Sequence, residues 1–285
     1  MQINHYKILK ISTIGTKMKR EKLTARKANI DRLYEESVQC PEFEVSFIKK
    51  LFKKYFNTKC ISLREDFCAS ALISSEWVKD NKNNTSISVD LDKRMISAAK
   101  KTAQNRLDNE QRSRMKIRYG DSSKYKGDIV DCILATNFSY FVFKDRQKLI
   151  KYFSNAYSQL KKKGLFMLDA FGGYEAHQLL EERTKHKDFT YVWDQSSFNP
   201  ITHEIQCYIH FEFPDKTKKK RAFSYSWRLW MLPEIQECLK EAGFRNVDVY
   251  MQGWDNEKDE ETERFYKVTK CDADPAWVAY LVARK

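Results

Sequence analysis

The sequence predicts an α/β fold: a seven-stranded, mostly parallel sheet with helices on both faces, carrying an antiparallel β-meander as an insert. Three observations lead there. Short apolar runs alternate with helix-periodic segments from Phe43 to Gly172, the pattern of a parallel sheet with right-handed crossovers. The period changes to two after Gly173, as in antiparallel strands with one wet face. A helix and two apolar strands then return, so the sheet finishes after the insert.

Each element has its own signal. Phe43, Phe47, Ile48, Leu51, Phe52, Tyr55 and Phe56 form one helical face, with lysines opposite. "CISL" opens the first strand, and a turn leads into a helix through Val78. "NTSISVDLD" is the second strand, with Asp92 placed to cap a helix beginning near Lys93. "MKIRYGD", "IVDCILATN" and "GLFMLDAF" are strands three to five. Leu149, Phe153, Ala156, Tyr157 and Leu160 mark the helix before the fifth. A short helix is expected around Tyr174 to Arg183, followed by the meander "FTYVWDQ", "HEIQCYIHFEF" and "RAFSYSWRLW". In its middle strand Ile205, Cys207, Ile209, Phe211 and Phe213 share a face. "LPEIQECLKEAGF" returns to helix, with Pro233 early and Gly243 at the stop, before "NVDVYM" and an antiparallel last strand, "WVAYLVA". The expected division is a basic, disordered tail at 1–29, a core of 30–173 and 233–285, and an insert at 174–232 covering the acceptor site.

Composition bounds the function. With 285 residues, 42% hydrophobic and 14% aromatic, the chain can bury a sizeable core. It has no apolar run of membrane-spanning length. The seven cysteines are scattered without a C-x-x-C pair, and the five histidines form no ligand spacing with them. That suggests reduced thiols in a cytoplasmic-type compartment and no metal site. The first 20 residues hold five Lys or Arg and no acid, so they read either as an organellar transit peptide or as a tail ahead of a start at Met18. Net charge is +13, which admits a nucleic-acid partner. The basic residues are spread rather than clustered, which favours solvated surface. "DNEKDEETE", Asp255 to Glu263, is expected to be a solvated loop.

The chemistry lies in the turn "REDFCASALISSEW", where a strand runs into a helix without one glycine. The succession of elements, with "LREDFCAS", "SVDLD", "NFSYFVF", "LDAFGG", "YSWRLW" and "DPAWVAY", resembles the class I S-adenosylmethionine-dependent methyltransferases over residues 30 to 285. Within that family it is similar to an uncharacterised subgroup reading L-R-E-D-F-C-G-T, from which it departs at Ala69 and Ser70. The resemblance implies a Rossmann-like methyltransferase sheet and S-adenosylmethionine as cofactor. Glu65 matches the acid ending the first strand, and the usual glycine positions fall on Phe67, Ala69 and Ala71. A dinucleotide needs those glycines so that backbone can approach its pyrophosphate. S-adenosylmethionine has no phosphate, so alanine there argues against NAD and permits this cofactor.

Cofactor contacts are expected at Arg64, Glu65, Cys68 and Ala69 of the turn. Asp90 has two acceptor oxygens for the ribose hydroxyls, unless it merely caps the next helix, a task already given to Asp92. Leu91 then lies against adenine, and Asp121 with Ser122 at its exocyclic amine. Asn137, also expected to contact the cofactor, and Tyr140 mark the catalytic edge. "NFSYF" resembles the N-P-P-Y motif of amino-group methyltransferases, but Phe138 and Ser139 stand in place of the prolines. Tyr34 is either a lid over the bound methionine or an ordinary helix tyrosine. On the insert, Trp193, Tyr225, Trp227 and Arg228 are candidates for an acceptor pocket, the alternative being aromatic packing. Methyl transfer from a sulfonium is an in-line displacement that asks mainly for alignment. The favoured acceptor is a small molecule. The alternatives are an RNA or protein acceptor, or a non-catalytic binding protein.

Overall fold

The computed structural model describes residues 23–255 and 260–285. Residues 1–22 of the expected tail lie outside the described residues. The described part of that tail is docked: Leu23, Ala25 and Ala28 pack on the core, and the Ala25 amide donates to Thr217 Oγ1 at 2.9 Å.

Helix α1 (Ile30–Val38) starts where the Asn29 side chain accepts the amides of Asp31 and Arg32, satisfying two orphan donors. Helix α2 (Pro41–Phe56) begins on a proline and ends at Asn57 in the left-handed region. Its buried face holds Val45, Phe47, Ile48, Leu51 and Phe52. The parallel strands are β1 (Ser62–Asp66), β2 (Thr85–Asp90), β3 (Met115–Tyr119), β4 (Val130–Ala135) and β5 (Leu160–Gly172). Between them run α3 (Leu72–Asp80), α4 (Lys93–Arg106), α5 (Asn109–Ser113) and α6 (Arg146–Ser158). As expected, Asp92 caps α4, accepting from the Arg94 amide. Gly173, φ 104°, turns the chain out of β5; a Cβ there would meet the Pro275 carbonyl oxygen at 2.3 Å. The meander is β6 (Leu180–Lys185), β7 (Thr190–Phe198), β8 (Glu204–Glu212) and β9 (Lys218–Arg228). Helix α7 (Leu232–Glu241) and strands β10 (Asn246–Asp255), β11 (Glu260–Val268) and β12 (Trp277–Arg284) complete the chain.

The main sheet has the order β11-β10-β12-β5-β4-β1-β2-β3, with β12 antiparallel to both β5 and β10. All seven expected strands are present, and β11 is an eighth. The acidic stretch expected as a loop instead contributes to β10 and β11, because the open edge of β10 takes an antiparallel partner. Its residues 256–259 lie outside the described residues. The helix expected around Tyr174 to Arg183 is also corrected. A 3-10 turn covers Tyr174–His177, and β6 follows, paired residue for residue with β7. The Gln195 amide fixes that turn by donating to the carbonyls of Glu175 and Gln178 at 3.1 and 2.8 Å.

Two apolar clusters sandwich the sheet. One packs α2, α3 and α4 against it around the fully buried Trp77. The other joins α6 and α7 to the inner face of the meander, where Ile205, Cys207, Ile209 and Phe211 are buried as their alternation requires. Each fully buried Ile or Phe contributes roughly 1.5–3 kcal/mol relative to exposure. The meander is thereby fastened to the core rather than hung from it. No helix among the described residues is long and apolar enough to cross a membrane.

Candidate functional site

The strand order reverses between β1 and β4, which pair in parallel through Leu63–Glu65 and Cys132–Leu134. In an open α/β sheet the crevice beyond the carboxyl ends at such a switch point is where ligands bind. The turns after β1, β2 and β4 meet there.

The turn after β1 keeps a glycine conformation without glycine. Phe67, Ala69 and Ala71 have φ of 54°, 46° and 56°. These are the three positions that match the glycines of the family pattern. Each costs an L-residue roughly 1–2 kcal/mol. The turn is held by its surroundings: the Ala69 amide donates to Asp90 Oδ2 at 2.9 Å, Cys68 N–H to the Val89 carbonyl at 3.1 Å, and Ala71 N–H to the Cys68 carbonyl at 2.7 Å. Glu65, buried beneath it, accepts the Ser74 amide of α3 at 2.9 Å. Burial raises its pKa to about 7.

Two of the turn candidates are held by buried contacts within the protein. Cys68 is packed in the α3-side cluster. Arg64 is wholly buried and donates from Nε and Nη2 to the two oxygens of Asp66, both at 2.8 Å, while Tyr152 donates its hydroxyl to the same carboxylate at 2.9 Å. Arg64 Nη1 is buried without a hydrogen-bond partner.

Asp90 ends β2. One oxygen takes the Ala69 amide and the other the Asp92 amide at 2.8 Å, leaving each a further lone pair. Burial pushes its pKa up, against these hydrogen bonds. Beside it Leu91 is 61% exposed and Tyr119 55% exposed, an apolar pair standing open at the sheet edge. Asp121 begins the next turn and accepts the Ser123 amide and hydroxyl at 2.9 and 2.6 Å; its pKa is lowered by these bonds and by Lys124 against a desolvation that raises it. Ser122 is buried, its carbonyl bonded to Asn155.

The turn after β4 contains a second strained pair. Asn137 and Phe138 have φ of 57° and 55°. Their amides donate to the two oxygens of Asp169 on β5, at 2.7 and 2.8 Å. Asp169 is 1% exposed, and burial raises its pKa to about 7. No spacing signal marks it; it stands inside the apolar run "LDAF". Tyr140, expected at the catalytic edge, is instead a core residue: it is fully buried against Phe141 and Phe153, and its burial raises the hydroxyl pKa.

The inner face of the meander meets this turn. Trp227 lies edge-on to Phe138 and Phe141, at 6.4 and 6.1 Å between ring centroids. Tyr225 stacks on Trp227 at 4.4 Å, and Trp193 lies within 6.3 Å of both. Helix α1 reaches the same place, with Tyr34 against Phe223 at 4.7 Å and hydrogen-bonded to Tyr225. Burial raises the Tyr34 pKa to about 12. The helix is tied on its other side by the Asp31–Arg94 ion pair, 2.8 Å, to the start of α4. It spans from the β2 end to the insert.

Arg228 is not part of that face. On a strand, residue 228 must point opposite to 225 and 227. Its guanidinium lies 3.7 Å over Trp230 and pairs with Glu234 at 2.8 Å. Together with Lys144, Asp145, Ile201, Thr202 and Glu204 it lines a separate open pocket of about 370 Å³. Also on the outer face, ligand atoms of Glu181, Asp194 and His210 lie within 4.8 Å of one another. His210 Nδ1 accepts the Arg221 amide at 2.7 Å, so the proton sits on Nε2, which donates to Asp194 at 3.1 Å. That tautomer leaves no ring lone pair for a metal.

No family model and no curated protein matches the chain. Solved structures do share its fold. An S-adenosylmethionine-dependent methyltransferase from Clostridium acetobutylicum is 17% identical, covering 90% of this chain and 97% of its own, with a TM-score of 0.66. An amino pentose methyltransferase from Micromonospora echinaspora is 10% identical over 93% of this chain and 99% of its own, TM-score 0.62. A sugar N-methyltransferase from Streptoalloteichus is 12% identical over 96% and 98%, TM-score 0.61. The chain has the class I methyltransferase fold.

Proposed function

We propose that the chain is an S-adenosylmethionine-dependent methyltransferase acting on a small-molecule acceptor. The observation that carries this is the turn after β1, whose residues 67, 69 and 71 hold positive φ without glycine while Asp90 anchors it from β2. Strain of this kind persists where the surroundings over-determine it, and it concentrates at ligand sites.

The residues present fit the cofactor. Asp90 has lone pairs for the ribose hydroxyls, and the exposed Leu91 and Tyr119 offer apolar surface to adenine. Asp121 stands at the next strand end for its amine. The orphaned Nη1 of Arg64, on the strand leading into the turn, is the kind of donor a carboxylate accepts. Once bound, the cofactor supplies a methyl group on a sulfonium. The protein's part is to align an acceptor between the Asn137 turn and the aromatic face of the insert, and to exclude water there. Asp169 sets the conformation of that turn, and Tyr34 with α1 closes it from above. A packed aromatic wall suits a small molecule better than a folded RNA.

Calorimetric titration of the full chain with S-adenosylmethionine, S-adenosylhomocysteine and NAD tests this. Binding of the first two and not the third is expected; NAD binding alone would overturn it.

A further inference from the structure

We propose that the acceptor is a basic amine, recognised as its ammonium cation by the aromatic face of the insert and the buried carboxylate of Asp169. The inference rests on the methyl-transfer reading above and names the substrate class of that same site.

Three features of this face select a cation. The rings of Trp193, Tyr225 and Trp227 form one continuous wall, with centroids 4.4 to 6.3 Å apart, and Tyr34 joins it through Tyr225. The negative faces of such rings attract a cation, most strongly where water is excluded. Asp169 then adds a buried carboxylate at the Asn137 turn, near enough for its charge to act on Tyr34. Of the other buried carboxylates, Asp66 has Arg64 and Asp131 has Lys161, whereas Glu65 is bonded to Ser74. Asp169 has only backbone amides, and among the described residues no cationic side chain pairs with it. A buried anion without a counter-charge is costly, and a ligand cation offsets that cost. Finally, the hydroxyl of Tyr191, 4% exposed on the same inner face, has no hydrogen-bond partner. It can accept from an ammonium N–H. Arg228, the cation of the insert nearest in sequence to this wall, faces away from it and pairs with Glu234.

The chemistry balances with these groups. A bound ammonium is not a nucleophile, so one N–H proton passes first to the Asp169 carboxylate, whose pKa of about 7 suits transfer near neutrality. The freed lone pair forms the N–C bond as the C–S bond breaks, its electron pair going to sulfur. The sulfonium becomes a thioether and the amine a methylated ammonium. The proton on Asp169 leaves to solvent when the product departs.

The test uses the full chain, labelled S-adenosylmethionine and matched pairs differing only in the acceptor atom: phenethylamine and phenethyl alcohol, glucosamine and glucose, ethanolamine and ethylene glycol. Amine members should be methylated, exceeding their hydroxyl partners by roughly tenfold or more in kcat/KM. Asp169→Asn should lower kcat/KM for amines by roughly tenfold and abolish its pH dependence near neutrality, a signature that the loss of one turn hydrogen bond alone would not produce. Trp227→Leu should raise KM more than it lowers kcat, and Trp227→Phe should restore most of the affinity. Preference for the hydroxyl members, a panel without amine turnover, or an Asp169→Asn variant with unaltered amine kinetics overturns the proposal. If S-adenosylhomocysteine does not bind at all, the methyl-transfer reading falls with it. If it binds and amines are not preferred, only the amine inference fails.

Discussion

Two turns at the same edge of the sheet force non-glycine residues into the left-handed region, and they do so differently. After β1 the strain falls on alternate residues, Phe67, Ala69 and Ala71. Support comes from several sides: Asp90 takes the Ala69 amide, the Val89 carbonyl takes Cys68, and Glu65 fixes α3 below. After β4 the strain falls on two adjacent residues, Asn137 and Phe138, and one carboxylate takes both amides. Where glycine is missing, the conformation is imposed by acceptors placed beneath the chain. The first turn has redundant supports; the second depends on Asp169.

The largest expected effect follows from that dependence. Asp169→Ala leaves two backbone N–H groups unpaired, at roughly 1–3 kcal/mol each, so it should destabilise the protein by about 2–5 kcal/mol. Urea unfolding measures this. A loss below about 1 kcal/mol would mean that the second turn holds itself and the contrast is unfounded.

The two turns also differ in how far they could be read from the sequence. The first was legible because a local run, "LREDFCAS", aligns with a known pattern, and its three glycine positions are the three strained residues. The second was half legible: Asn137 stood out at a strand end, but its support lies 32 residues away on β5, where spacing carries no information. Strand parity made the inner aromatic face readable, and the same parity, applied to residue 228, separates Arg228 from Trp227. Strand β6 is not legible as a strand because "LEERTK" is rich in helix formers, and pairing with β7 overrides that preference. The burial of Tyr140 is not legible, because a polar tip three residues after Asn137 says nothing about burial.

Asp90 is both a support of the first turn and the proposed partner of the cofactor ribose, and a substitution separates the two. Its replacement by alanine should weaken S-adenosylmethionine binding by roughly 1.5–3 kcal/mol, the range for hydrogen bonds to a charged group. Calorimetry on the folded variant checks it, and unchanged affinity would leave Asp90 as scaffold only.

Glu65 gives a pH signature. Its pKa is raised to about 7 in the folded protein and lies near 4.3 when unfolded. The native state therefore binds the extra proton between these values. Glu65 contributes stability at low pH that is lost as pH rises through the window. Glu65→Gln, which can still accept the Ser74 amide, should be more stable than wild type by about 1–3 kcal/mol above pH ~7. The gain should vanish below pH ~4. Melting curves across this range test the sign; a gain confined to low pH would refute the assignment. Asp169 contributes in the same direction, so some pH dependence should persist in the variant.

The smallest effects separate the two alanines of the first turn. Glycine removes the left-handed penalty of roughly 1–2 kcal/mol but adds freedom to the unfolded chain worth about 0.4–1 kcal/mol. For Ala69, which is partly exposed, the balance favours glycine, and Ala69→Gly should stabilise by about 0.5–1 kcal/mol. Ala71 has the same backbone strain, but its methyl is fully buried among the residues of the α3-side cluster. Losing that methyl costs roughly 0.8 kcal/mol, so Ala71→Gly should be close to neutral. Cofactor affinity should be unchanged or tighter in Ala69→Gly, because the side chain removed lies on the turn and makes no polar contact. Paired denaturation and titration curves decide the matter. If Ala71→Gly stabilises as much as Ala69→Gly, burial does not distinguish the two positions. If Ala69→Gly loses affinity sharply, the turn does not face the cofactor in the register that its φ angles indicate.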